Sequence, residues 1–177
     1  QLFKSKIKNI NSIKEFQDQV KLVLKSVVDQ TTDEFQIEGL ENLDINKPYL
    51  FIGNHRDITL DSALCNFALD SVGLDTTYNA IGDNLVDVSW MGDLLRLNKS
   101  FVISRSGSSK KEIYLNLLRA SEFIKEKLDS GNHVWIAQKQ GRSKDGIDKT
   151  DPTVLKMLHI ALRKICEFKE ITNYYNI

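Results

Sequence analysis

Ten residues, GNHRDITLDS at 53–62, set Asn54, His55, Arg56, Asp57, Thr59, Asp61 and Ser62 directly behind the apolar run YLFI. Polar groups this dense at the end of a buried-looking strand point to chemistry. A histidine paired with a carboxylate is a general base: the carboxylate fixes the imidazole tautomer and stabilises the imidazolium. Asp57 and Asp61 are both near enough in sequence to hold His55, with Asn54 beside it as candidate support. Two rival readings use the same residues. Asp57 and Thr59 suit a helix N-cap, and His55, Asp57 and Asp61 are a potential metal set. The other histidines give the metal reading no help, because neither His133 nor His159 stands at a ligand spacing from them, and we expect no metal.

Two downstream loops carry the complementary charge. Arg105 follows the apolar run SFVI in SRSGSSKK, and Arg142 and Lys144 sit in QGRSKDG behind HVWIA. Guanidinium forks match phosphate oxygens two at a time and lysine adds a point charge. Gly141 and Gly146 would let a ligand approach the backbone closely. The third loop lacks GxxxxGK[ST], which disfavours nucleotide hydrolysis. Together the three loops would form an anion-binding cleft beside a general base.

The elements that must position these loops follow from periodicity. Apolar runs at YLFIGN, TTYNAIG, SFVI and HVWIA read as strands, and EFQIEGLENL as a short strand ending at Gly39. Residues 10–28 repeat Ile10, Ile13, Phe16, Val20, Val23, Leu24 and Val27 at helical spacing. Further helices are expected over 60–70, over DVSWMGDLLRL, over 110–128 ended by Gly131, and from Pro152 behind Asp151 to about Phe168. Strands alternating with helices imply an α/β fold with a largely parallel central sheet flanked by helices. In such sheets sites gather at the carboxyl ends of strands, where all three polar loops fall. The division expected is an N-terminal amphipathic helix over 1–30, packed on an α/β domain over 31–177. EITNYYNI reads as a turn entering a strand, so the domain is expected to be incomplete at its C-terminus.

The order of the blocks NHRDITLDS, SFVISRS and QKQGRSKDG resembles the glycerolphosphate/lysophosphatidate acyltransferase superfamily. The form N-H-R-D-I-x-L-D-S is similar to a bacterial subgroup of it. The resemblance spans about residues 37–165. It implies an O-acyltransferase of membrane-lipid synthesis with His55 as base and Asp61 as its partner. Arg105, Gly141, Arg142, Lys144 and Gln140 would bind the acceptor's phosphate. No cofactor would be bound; the co-substrate would be acyl-CoA or an acylated carrier protein, the acceptor a lyso-lipid, and the place of action the cytoplasmic face of the membrane, peripherally. Three departures stand out: the His-to-Asp spacing is x5 rather than x4, Gln140 stands where the family usually has Glu, and the last family block is absent. The spacing leaves both aspartates open as partner of His55. Gln140 motivates one alternative, a lipid- or carrier-binding homologue without turnover. An amino-acid-containing lyso-lipid is an alternative acceptor.

Bulk properties set outer bounds. The 177 residues hold 24 Lys+Arg and 24 Asp+Glu, net zero, which argues against a general nucleic-acid binder. Six lysines between Lys4 and Lys25 would be a solvated face or a contact with anionic lipid or an acidic carrier. No apolar run approaches the roughly 18–20 residues of a membrane-spanning helix. Cys65 and Cys166 form no paired motif; Cys65, among apolar neighbours, reads as a core residue.

Overall fold

The computed structural model describes residues 10–83, 93 and 95–177. Four strands form one parallel sheet: β1 (Leu50–Gly53), β2 (Tyr78–Gly82), β3 (Ser100–Ile103) and β4 (Val134–Ala137). Their spatial order is β1-β4-β2-β3, so the last strand in sequence is inserted beside the first. Phe51 lies opposite Trp135 and Gly53 opposite Ala137 across β1 and β4; Gly82 lies opposite Ile103 across β2 and β3. Because every strand runs the same way, all four carboxyl ends share one edge.

Five helices accompany the sheet among the described residues: α1 (Ile13–Thr31), α2 (Leu60–Ser71), α3 (Lys110–Asp129), α4 (Pro152–His159) and α5 (Ile171–Tyr175). Their starts follow from local chemistry. The Ser12 hydroxyl accepts the Glu15 N–H, and Ser109 does the same for Glu112. Asp151 accepts from the Thr153 N–H at 2.8 Å with Pro152 in the first turn, where a missing N–H costs nothing. Behind α3, Gly131 takes φ +80°, the left-handed conformation that ends the helix.

The main core lies between one sheet face and α3, α4 and α5. Leu50, Ile103, Val134 and Ile136 project from the strands into Ile124, Val154, Leu158, Ile171 and Tyr175. The β1-to-β2 and β3-to-β4 connections travel in opposite directions across the sheet. Right-handed crossovers then put α2 and α3 on opposite faces. The loop leaving β1 thus turns toward one face, and the loop leaving β4 runs into α4 on the other. Neighbouring strands whose connections diverge open a crevice between them, where ligands of α/β sheets bind. On the α2 side, the buried Asn66 carbonyl accepts from the Thr77 backbone N–H at 2.8 Å and ties α2 to the start of β2. α1 lies along α2 through a Lys21–Asp70 ion pair, and Gln17 accepts from Thr76 at 2.8 Å.

Several expectations need correction. Residues 32–38 form no strand; the backbone passes to Gly39 in the left-handed region and a short 3-10 turn, Leu40–Asn42. The helix from Pro152 ends at His159 and continues only as 3-10 geometry to Leu162. EITNYYNI does not enter a strand. Glu167 and Glu170 form a reciprocal capping box, and α5 then buries Ile171 and Tyr175, one helical turn apart. Most of the helix expected over DVSWMGDLLRL lies outside the described residues.

Candidate active site

The loop after β1 folds His55 back over the start of α2. Its Nδ1 lies 2.9 Å from Asp61 Oδ2, and both side chains are largely buried. The same Asp61 oxygen accepts the backbone N–H groups of Arg56 at 2.8 Å and Asp57 at 3.0 Å. The carboxylate is thus gripped by backbone as well as by imidazole, and its place is over-determined. Asp57 does something else: Oδ1 accepts the N–H groups of Thr59 and Leu60, both at 2.8 Å. It caps α2, and those two bonds, with smaller help from Arg142 and His55, hold its carboxyl below the usual carboxylate range. The Thr59 side chain makes no cap bond. The folded-back loop and the first turn of α2 therefore assign His55 to Asp61 and the cap to Asp57. With Nδ1 engaged by a carboxylate, Nε2 is the ring nitrogen left for another partner.

Gly53 precedes this loop for a packing reason. A Cβ there would stand 2.9 Å from Trp135 Nε1, on the neighbouring strand. The indole therefore needs a glycine beside it and brings β4 close to the base of the His55 loop.

The loop after β4, residues 138–151, is fastened to the His55 loop. The Gln138 N–H donates to Gly53 O at 2.8 Å and its side chain bonds Asn54. The Ser143 N–H donates to the His55 carbonyl at 2.6 Å. Arg56 Nη2 donates to both oxygens of Asp148 at 3.0 Å. Arg142, next to Ser143, is thereby held close enough to act on Asp57. Gly141 and Gly146 have φ +75° and +72°, and a Cβ on either would meet open space. What requires glycine is the left-handed backbone rather than close approach within the protein.

The loop after β3 is pinned on both sides of Arg105. Ser104 and Ser106 donate to Asp83 Oδ2 at 2.9 and 2.7 Å, and Asn116 donates to the Ser106 carbonyl at 3.1 Å. Arg105 Nη1 donates to Gln140 Oε1 at 3.2 Å, joining the second loop to the third. Gln140 is a neutral acceptor, so it does not balance the Arg105 charge, which is felt as far as the Asp151 carboxyl and helps to lower its pKa. Among the described residues, neither Arg105 nor Arg142 lies within ion-pair distance of a carboxylate. Lys144 is exposed on the third loop, likewise without an ion pair to a described residue. A shallow recess of ≈ 280 Å³ opens beside Ser104, walled by Phe101, Val102, Ala120 and Phe123.

The remaining candidates are structural. His133 is buried, and its Nδ1 accepts the Tyr49 N–H at 3.1 Å. His159 Nε2 lies 2.9 Å from the Cys166 carbonyl. Burial pushes the Cys65 thiol up to about 11, so it stays protonated and unreactive at neutral pH. Among the described residues no three His, Cys, Asp or Glu side chains gather as a metal set. Sequence reasoning missed Asp83, Gln138 and Asp148. Asp83 and Gln138 stand directly behind β2 and β4, the signal that had singled out His55.

A sequence model of the acyltransferase family matches residues 34–165, most of the chain and every loop just described. The chain belongs to the acyltransferase family. Compared with curated proteins, this acyltransferase has no match. The matched span runs from the segment before β1 to the 3-10 turns behind α4, so it takes in the whole described sheet.

Proposed function

We propose that this acyltransferase moves a fatty acyl group from a thioester donor to the hydroxyl of an anionic lyso-lipid, with His55 as general base. His55 Nε2 takes the acceptor hydroxyl proton as that oxygen attacks the thioester carbonyl carbon. The C–S bond breaks, the imidazolium returns the proton to the leaving thiolate, and an ester remains. Asp61 keeps the proton on Nδ1 and balances the imidazolium charge in the transition state. Arg105 and Arg142 take the acceptor's anionic head, a phosphate as in lysophosphatidate or the carboxylate of an amino-acid-containing lyso-lipid. The apolar recess beside Ser104 is the candidate seat for an acyl chain. Acyl-CoA or an acylated carrier protein is the donor class. No helix among the described residues is long and apolar enough to cross a membrane, and the lipid would be met at the membrane surface.

The observation carrying this reading is the pairing of a fixed His55–Asp61 dyad with two arginines that have no carboxylate within ion-pair distance among the described residues. The test is an acyl-transfer screen read by mass spectrometry, offering phosphate- and carboxylate-bearing lyso-lipids with acyl-CoA and acyl-carrier donors. One acceptor class is expected to be acylated, with Arg105→Ala and Arg142→Ala each raising its KM roughly 10–100-fold, the loss of one charge-assisted hydrogen bond. Folded protein that acylates no anionic lyso-lipid, or arginine variants with unchanged KM, would sink the reading.

A further inference from the structure

Resting on that reading, we propose that Asp148 is a positioning residue of the acceptor site: through Arg56 it holds the third loop against the His55 loop and so sets where Arg142 stands.

The third loop is long and lies at the sheet edge, where little packing restrains it. Its own bonds make a compact turn. Asp145 Oδ1 accepts the Ile147 N–H at 3.1 Å, and the Ser143 hydroxyl lies 3.2 Å from both Asp145 Oδ1 and Ile147 O. Glycines at both shoulders of this turn, Gly141 and Gly146, lie in the left-handed region. Such a turn keeps its shape but can swing as a unit about its stems. One stem is fixed at Gln138 by Gly53 and Asn54. The far stem closes on the near one, with the Asp151 N–H donating to Gln138 O at 2.9 Å and the Thr150 hydroxyl to Gln138 Oε1 at 3.1 Å; between the stems the loop has two ties to the His55 segment, Ser143 N–H to the His55 carbonyl and Asp148 to Arg56. Both reach neighbouring residues of one short segment, the one that also presents the His55 ring. Arg142 precedes Ser143, so the distance from its guanidinium to the imidazole depends on those ties.

Asp148 is the tie that a side-chain change can cut. Arg56 and Asp148 are both substantially exposed, 51% and 40%. An exposed ion pair contributes little to global stability. Its consequence is local: losing it frees the loop without unfolding the domain. The pairing also answers what Arg56 is for. Although adjacent to His55, it is neutralised by Asp148 and is not offered to the acceptor, which leaves Arg105 and Arg142 as the anion-binding pair.

The test compares wild type, Asp148→Asn, Arg56→Lys and the charge-swapped double variant Arg56→Asp/Asp148→Arg. Two readouts are used: hydrogen exchange at the Ser143 amide, and calorimetric binding of lysophosphatidate, which needs no turnover. Asp148→Asn is expected to speed Ser143 exchange about two- to fivefold and to weaken lysophosphatidate binding by a similar factor, the reach of one exposed ion pair. The swapped variant should recover both in part, and added salt should narrow the difference. Unchanged Ser143 exchange in Asp148→Asn overturns the proposal, as does faster exchange with unchanged binding. If wild type binds no lysophosphatidate, the phosphate-bearing acceptor fails and the exchange result alone decides whether Asp148 seats the loop.

Discussion

Gln140→Glu is the sharpest perturbation the site offers, because it adds one negative charge without changing shape. Arg105 Nη1 lies 3.2 Å from Gln140 Oε1. An acceptor anion bound on the far side of that guanidinium would stand roughly 6–7 Å from a carboxylate at 140. With an effective dielectric of about 40–80 for exposed groups, the added repulsion is roughly 0.6–1.3 kcal/mol per unit of acceptor charge. That corresponds to about a three- to ninefold weaker carboxylate acceptor and roughly the square of that factor for a dianionic phosphate. The assay is acceptor KM for wild type and Gln140→Glu, measured at about 50 mM and about 500 mM salt. The gap is expected to shrink as the Debye length falls. A Gln140→Glu enzyme with equal or tighter acceptor binding would refute the idea that the neutral amide leaves the Arg105 charge available to the ligand.

Other outcomes follow from the same geometry. In Asp61→Asn, an amide oxygen in the Oδ2 place still accepts from Arg56, Asp57 and His55 Nδ1, but the negative charge that balances the imidazolium is gone. We expect kcat to fall roughly 10²–10⁴-fold with acceptor KM little changed; steady-state kinetics within tenfold of wild type would contradict the pairing. Asp57→Ala should cost about 1 kcal/mol of stability in urea unfolding through the lost α2 cap, with far less effect on kcat than Asp61→Asn. Burial holds the His133 pKa below its ordinary 6.5, and its Nδ1 accepts a bond only when unprotonated. Its stabilising contribution is therefore intact above about pH 6.5 and is lost as pH falls below that value. Thermal melts between about pH 7.5 and 5 should show this loss flattened in His133→Gln.

The strands bearing YLFIG, YNAIG, SFVI and VWIA, and the polar loops behind them, were legible because each is a local pattern of apolar run then polar cluster. Asp151–Pro152 and Gly131 were readable as helix punctuation for the same reason. Two segments misled. FQIEG has strand-like residues yet finds no partner strand and stays irregular, since pairing is a tertiary matter that propensity does not decide. EITNYY looked like strand entry because of its aromatics, whereas Ile171 and Tyr175 are spaced to face the core from one helical turn. The order β1-β4-β2-β3 has no local signature at all. At the site, residue types gave His55, Asp61, Arg105 and Arg142. The choice between Asp61 and Asp57 needed the backbone path, and Asp148 needed a contact spanning 92 positions in sequence.

The most direct measurement is acyl transfer by His55→Ala beside wild type, with lysophosphatidate binding determined for both proteins. Removal of the base should lower kcat roughly 10²–10⁴-fold while binding stays within about twofold. A His55→Ala protein that still turns over within about tenfold of wild type would contradict the assignment of the dyad as the catalytic base.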